Sequence, residues 1–401
     1  MKTNLLDGGV TAAKGFQVAV THCGIKTEGL DLALIVSDGP ASGAAVFTTN
    51  LVVAAPVIVA KQHLSQSGGL VRAIAVNSGC ANACTGDAGL SAARAMATTL
   101  SKTLDCQLEH ALVASTGVIG LPLDSSKIHQ GIVTAAGDLN RTAHTAAAEA
   151  IMTTDSGPKE AAVQINTPEG SFVIGGMVKG AGMIEPNMAT MLGFLTTDAK
   201  IEPVLLRKAL SAAVADTFNA ITVDGECSTN DAVFLLASGC SEVSVDKVIY
   251  PTFVEGLREV CATLAREIVR GGEGATKLIA VRVTGGHSPE EAKCAARAIA
   301  NSLLVKTAVH GSDPNWGRLI AVAGRAGVVF DPTQARVKIG PAVLFENDTV
   351  LADQEPTAAA HLKGKEVLLE LDLGTKGSYE ATVWTCDLSA QYVRINADYR
   401  T

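Results

Sequence analysis

Hydroxyl, thiol and charged side chains gather at a few points in this sequence, each where an apolar run gives way to glycine or proline. The densest is Lys179-Gly180-Ala181-Gly182-Met183-Ile184-Glu185-Pro186-Asn187-Met188-Ala189-Thr190, which turns apolar from Met191 to Leu195. Gly180 and Gly182 permit backbone geometries closed to other residues, and Pro186 with Asn187 interrupts regular structure. Thr190 is therefore expected at the mouth of a buried strand, behind a small Ala189. A hydroxyl held there suits a nucleophile, and it equally suits a packed strand-edge threonine.

Ser115-Thr116-Gly117 closes a short strand expected over 111–114. Such an ending can leave an amide and a hydroxyl pointing outward, and two donors about 3 Å from a developing negative oxygen stabilise it. A simple glycine turn has the same spacing. The loop 77–86 carries Cys80 and Cys84, but no second cysteine pair or nearby histidine completes a tetrahedral set, so no metal is expected. Met152-Thr153-Thr154-Asp155 is a hydroxyl-rich turn whose residues also suit capping. His310 and Asp313 supply triad-type side chains, while the alternative is a structural loop in which Trp316 packs and Arg318 pairs with a carboxylate.

These points need a scaffold. Strands are expected over 32–36 and 44–49 around a turn at 37–40, over 51–60 with Pro56 at an edge, and over 71–76. Helical composition covers 88–104, 126–152 and 202–218, and a hairpin is expected from 162–165 to 171–177. Phe253, Leu257, Val260, Cys261, Leu264 and Ile268 make one buried helical stripe, and Ser288-Pro289-Glu290-Glu291 caps a helix running to about 305. Strands follow near 337, 343, 367 and 378, and the ordered-looking C-terminus suggests a tucked end.

Strands and helices intermix throughout the 401 residues, which predicts an α/β or α+β class with mixed sheets layered by helices. A hydrophobic share of 47% rich in Ala and Val favours close packing of small side chains. The formal charge of -8 argues against nucleic acid as a partner, and no stretch has the length or apolarity of a membrane span. Nine unpatterned cysteines and an opening without a signal-type run point to reduced thiols and a cytoplasmic location.

The stretch 179–192 resembles the signature of the ornithine acetyltransferase, or glutamate N-acetyltransferase, family of arginine biosynthesis. Phe47-Thr48-Thr49-Asn50, Ser115-Thr116-Gly117, Met152-Thr153-Thr154-Asp155, Ser228-Thr229-Asn230-Asp231, Gly272-Glu273-Gly274-Ala275-Thr276-Lys277 and Asp313-Pro314-Asn315-Trp316-Gly317-Arg318 are similar to family motifs in the same order. Cys80 stands where the family pattern has Asn, and Cys227 where it has a hydroxyl residue.

The resemblance implies a DmpA/ArgJ-like fold and a precursor that cuts itself between Ala189 and Thr190. The products are an alpha chain of residues 1–189 and a beta chain of 190–401, which are cleavage products rather than independent folding domains. It implies that Thr190 is the nucleophile and that Thr116 and Gly117 form the oxyanion hole. Thr153, Lys179, Glu273, Asn396 and Thr401 match substrate-binding positions, with Thr154 the alternative to Thr153. The implied reaction is ping-pong transfer of acetyl from N2-acetyl-L-ornithine to L-glutamate, without a cofactor, by a heterotetramer of two alpha and two beta chains. No motif decides whether acetyl-CoA also serves as co-substrate. The competing readings are an N-terminal-nucleophile amidohydrolase or aminopeptidase, and an uncut binding or assembly protein.

Overall fold

The computed structural model describes residues 2–185 and 191–398. The chain divides into two compact units, the first made of Met1–Asn219 with Glu226–Ile268 and the second of Ala220–Gly225 with Val269–Arg400. These boundaries do not coincide with position 189.

In the first unit the strands, in chain order, are β1 (Lys2–Leu6), β2 (Phe16–Thr21), β3 (Leu32–Phe47), β4 (Leu70–Asn77), β5 (Ala111–Ser115), β6 (Lys159–Thr167), β7 (Gly170–Lys179), β8 (Leu192–Thr197) and β9 (Ala232–Ala237). They form one sheet ordered β1-β6-β7-β8-β9-β3-β4-β5, with β2 paired to β3. The helices are α1 (Ala55–Gln66), α2 (Gly86–Thr103), α3 (Ser125–Ala136), α4 (His144–Ala150), α5 (Pro203–Ala215) and α6 (Tyr250–Arg270). Two pairs are parallel, β4 with β5 and β8 with β9. Their connections run through α2 and α5, since a parallel return needs a crossover.

Alternation along the strands splits the interior into two faces. Ala33, Ile35, Ile74, Val76, Leu112 and Ala114 pack with Ala147 and Ala148 of α4. Their neighbours Leu34, Val36, Ala73, Ala75 and Val113 pack with Met96 and Leu100 of α2 and with Ile128 of α3. Every residue of β8 and β9 is buried, which is why both read as unbroken, mostly apolar runs rather than alternating ones. At their centre Phe194 and Phe234 stack at 5.5 Å, with Phe47 edge-on to Phe234 at 5.7 Å.

The second unit holds β10 (Leu278–Gly286), β11 (Arg336–Ile339), β12 (Ala342–Glu346), β13 (Thr349–Val350), β14 (Glu366–Asp372) and β15 (Tyr379–Cys386), ordered β13-β12-β11-β14-β10-β15. Val337, Ile339, Leu369, Leu371 and Val383 bury one face beneath α7 (Pro289–Ala300), α8 (Leu303–His310) and α9 (Trp316–Gly324). The unit's remaining helices are α10 (Glu355–Leu362) and α11 (Ala390–Asp398).

Four local expectations change. The segment 51–60 is no strand: Pro56 sits in the first turn of α1, where its missing N–H costs nothing, and Val57, Val59 and Ala60 face the interior. The two strands around 37–40 are one strand, β3, whose register against β4 shifts between Val36 and Ala41 and so absorbs the extra residues. The helix over 126–152 is two helices, parted where Asn140 bonds reciprocally with Val18 and its side chain accepts the Thr142 and Ala143 amides. The helix after Ser288 ends at Ala300, and Ser302 caps α8 afresh by accepting the Val305 amide. No helix of the described residues is long and apolar enough to cross a membrane.

Phe234→Ala removes the ring between Phe194 and Phe47. It should destabilise the protein by about 4 kcal/mol in denaturant unfolding, as expected for a truncated buried phenylalanine.

Candidate active site

Strands β4 and β5 end level with each other, Asn77 opposite Ser115. The buried Asn77 side chain ties these ends by accepting the Ser115 hydroxyl at 2.6 Å and donating to the Cys80 carbonyl at 2.9 Å. Beyond them the Thr116 amide donates to Asn77 at 3.0 Å and the Val118 amide to Gly79 at 3.3 Å. Between these two, the Gly117 amide makes no hydrogen bond among the described residues. Gly117 has a φ of +129°, and a Cβ there would lie 2.3 Å from the Gly79 carbonyl carbon, so the turn requires glycine. Thr116 is 8% exposed, and its Oγ1 accepts the Lys179 ammonium at 3.2 Å, which leaves its own proton to donate. This is a two-donor turn of the kind that stabilises an oxyanion. Cys80 is buried with its thiol on the Leu121 carbonyl at 3.3 Å, and Cys84 is exposed.

Lys179 ends β7 beside a buried anion. The Asp155 side chain, fully shielded, accepts the Lys159 ammonium at 2.5 Å, the Gly180 amide at 2.7 Å and the Thr153 amide at 3.1 Å. Burial alone would raise this carboxyl, but the Lys179 and Lys159 charges and the Gly180 amide overcome it and hold the group below the usual carboxylate range. Burial, together with the charge of Lys179, lowers Lys26 against the pull of Asp31 and Asp155, and the Lys26 ammonium donates to the Met152 carbonyl at 3.1 Å. Three lysines against the two carboxylates Asp155 and Asp31 leave a positive surplus suited to a substrate carboxylate. Asp155 thus joins two expected contacts, Thr153 and Lys179, that are 26 residues apart in sequence. Thr153 and Thr154 are both half-buried, and only the first is tied by its amide.

The loop before β9 closes this side. Thr48 donates its hydroxyl to the Ser228 carbonyl at 2.8 Å, and Asn50 its amide to Cys227 at 2.9 Å, which accounts for the polar end of β3. Asn230 donates to the Ala81 and Ser115 carbonyls at 2.5 and 2.9 Å, fixing the loop to the Thr116 turn. The following Asp231 is 2% exposed, and burial pushes its carboxyl well above the usual range against the Ser228 hydroxyl, the Lys179 charge and the Met191 amide.

In the second unit Glu273, 7% exposed, accepts the Asn396 side-chain amide at 2.7 Å. Gly274 at φ +69° lets the chain pass α11, since a Cβ would meet the Tyr392 nitrogen at 2.5 Å. Asp387 gathers the Thr276 amide and hydroxyl and the Lys277 amide, and it pairs with His310 at 2.6 Å. The histidine's acid is therefore Asp387, and Asp313 instead takes the Asn315 side chain at 3.0 Å. Trp316 does pack, stacking on Phe345 at 4.8 Å. Arg318 donates to the Leu304 carbonyl, in the first turn of α8, at 2.7 Å, and pairs with no carboxylate among the described residues.

Lys179 and Thr116 thus meet directly and reach Thr153 through Asp155, while Glu273 and Asn396 meet each other. Ala189, Thr190 and Thr401 lie outside the described residues. Among the described residues no group of three or more His, Cys, Asp or Glu could hold a metal ion. Sequence reasoning missed Lys159, Lys26 and Asn230 and gave Asp155 only a capping role. The one signal available was the acid-to-lysine spacing of Asp155 and Lys159.

Asp155→Asn strands the Lys159 ammonium and should cost about 3 kcal/mol, as for breaking a buried ion pair. Because this carboxyl is depressed in the folded state, its contribution is complete above the unfolded value of about 3.9 and is lost as pH falls through the folded value. Melting curves taken across acid pH should accordingly show a smaller acid-induced loss in the variant than in the wild type.

The ArgJ family model matches residues 17–401. The Arginine biosynthesis bifunctional protein ArgJ of Chlorobaculum tepidum is 48% identical over 395 residues, covering 97% of this chain and 96% of that protein. The protein of the same name from Dehalococcoides mccartyi is 46% identical, covering 99% and 98%. A crystal structure of the Bacillus halodurans ArgJ protein is 40% identical, covering 47% of this chain and 98% of that one, with a TM-score of 0.45. Matched over nearly its whole length, and with the mixed, helix-layered sheets expected of it, this chain belongs to the ArgJ family and is an ArgJ-type acetyltransferase.

Proposed function

We propose that the chain moves an acetyl group from N2-acetyl-L-ornithine to L-glutamate through an acetyl ester on Thr190. In this reading the Ala189–Thr190 bond is first cut by the chain itself, giving an alpha chain of 1–189 and a beta chain of 190–401. The freed α-amino group, with a pKa of about 7.7 to 8.0, takes the proton of its own hydroxyl as the oxygen attacks the acetyl carbonyl. Thr116 and Gly117 donate to the resulting oxyanion, and ornithine leaves with its α-nitrogen protonated. The α-amine of glutamate then attacks the ester, and N-acetylglutamate departs as Thr190 regains its proton. Lys179 pairs with the amino acid's carboxylate, Thr153 adds a hydroxyl, and Glu273, steadied by Asn396, receives an ammonium. Thr401 completes the set.

The observation that carries the reading is the placement of Lys179. It is the register partner of Leu192, two residues beyond Thr190, and its ammonium bonds Thr116 of the donor turn. This supports the reading in which the nucleophile, covalently tied to that strand start, works with the Thr116 and Gly117 donors. We also propose that the working enzyme is a heterotetramer of two alpha and two beta chains, which native mass spectrometry would weigh directly.

Intact mass after incubation with acetylornithine should show one added acetyl group on the 190–401 fragment, released by glutamate and not by water alone. A full-length mass, or two fragments without an adduct, would sink the covalent step, and glutamate-independent release of acetate would mark a hydrolase. Glu273→Gln should raise KM for acetylornithine about ten- to a hundredfold through loss of one charge-assisted contact, with the acetyl adduct still forming at saturation.

A further inference from the structure

Glu273 and Asn396 meet across 123 residues of sequence, and one short segment, 387–389, holds them both. The antiparallel pairing of β10 with β15 begins with Leu278 opposite Cys386, so Lys277 and Asp387 come together just outside it, where the loop 272–277 enters the sheet. The Asp387 side chain has no exposure to solvent. Its Oδ1 accepts the Thr276 and Lys277 amides at 2.7 and 2.8 Å, and its Oδ2 accepts the Thr276 hydroxyl and His310 Nδ1, each at 2.6 Å. The Lys277 ammonium is turned away to the end of α8, where it donates to the Val309 carbonyl at 2.6 Å and the Ser312 hydroxyl at 3.0 Å. Two residues after Asp387, the Ser389 hydroxyl donates to the Gly274 carbonyl at 2.6 Å and accepts the Gln391 amide at 3.2 Å in the first turn of α11.

Both partners of the Glu273 pair therefore hang from this segment. It grips the loop that carries Glu273 at residues 274, 276 and 277, and it starts the helix that carries Asn396. The Asn396 amide is itself held to the Tyr392 carbonyl at 3.1 Å and takes Oε2 of Glu273, while no described residue takes Oε1. A carboxylate with one oxygen fixed and one left over is set to receive a further donor. We propose that Asp387 is a positioning residue for the substrate ammonium: through the loop 273–277 it holds the Glu273 carboxylate where Asn396 can share it. It makes no contact with substrate itself. This role rests on the reading of Glu273 as the group that meets the ammonium. A carboxylate displaced by about 1 Å keeps its charge but loses the aligned hydrogen bond, so the cost falls on binding.

The test is a double-mutant cycle on the purified full-length protein, reading acetyl transfer from acetylornithine at saturating glutamate, well below the lowest melting temperature. Asp387→Ala should raise KM for acetylornithine about tenfold and leave kcat within about twofold. Added to Glu273→Gln, it should raise KM by less than about twofold more, because the group it positions is already impaired. A clamp that serves folding alone would lower the melting temperature and leave KM at the wild-type value, and that result overturns the proposal. So does a full tenfold rise on top of Glu273→Gln. Should Asp387→Ala not fold, Asp387→Asn takes its place in the same cycle: it keeps an oxygen for the two amides but loses the acceptor of His310, and a rise in KM of about threefold is expected. Wild-type KM in Glu273→Gln would fail the reading of Glu273 itself, whereas a raised KM there with wild-type KM in the Asp387 variant fails the role of Asp387 alone.

Discussion

A carboxylate cannot stay charged in a dry interior unless cations and amides replace the water it has lost. Asp155 meets that condition with Lys159, the Gly180 and Thr153 amides and the nearby charge of Lys179. Much of the first unit's site follows from this requirement. It fixes where β7 must end, because the Gly180 amide has to reach the acid. It orients the 153–155 turn towards Lys179, and it leaves that lysine shared between an internal anion and the Thr116 hydroxyl.

Two buried acids therefore face Lys179 and are pushed in opposite directions. The lysine charges beside Asp155 outweigh desolvation and hold its carboxyl below the usual range, whereas burial pushes that of Asp231 well above it. Environments that push two like groups apart are the usual means by which a fold provides both a fixed charge and a movable proton at one pH. Here the difference comes from charge, since Asp155 has Lys159 and Lys179 beside it and Asp231 has Lys179 alone.

Much of this was legible in the sequence where local chemistry is strict. The glycine of Ser115-Thr116-Gly117 marked a turn that indeed admits no Cβ, and the apolar run from Met191 to Leu195 marked the buried strand β8. Segments whose state is set by distant packing were harder. Residues 51–60 are Val-rich and read as a strand, but burial of Val57, Val59 and Ala60 on one side and a proline in the first turn make a helix. Asp155 looked like a capping residue because its partners Lys179 and Gly180 come from another strand, and His310 drew attention to Asp313 although its acid, Asp387, is supplied 77 residues away.

The pairing of β7 with β8, running from Ile174 opposite Thr197 to Lys179 opposite Leu192, joins residues on either side of position 189. A cut there would divide the covalent chain but not the ladder, so neither product would own a complete sheet. Each alone would present a long unpaired strand edge with its apolar faces uncovered, the condition that drives strands into aggregates. Continuity of the chain is thus an assembly device: it delivers both halves to one sheet at an effective concentration no separate synthesis could match, and it becomes dispensable once the strands are in register.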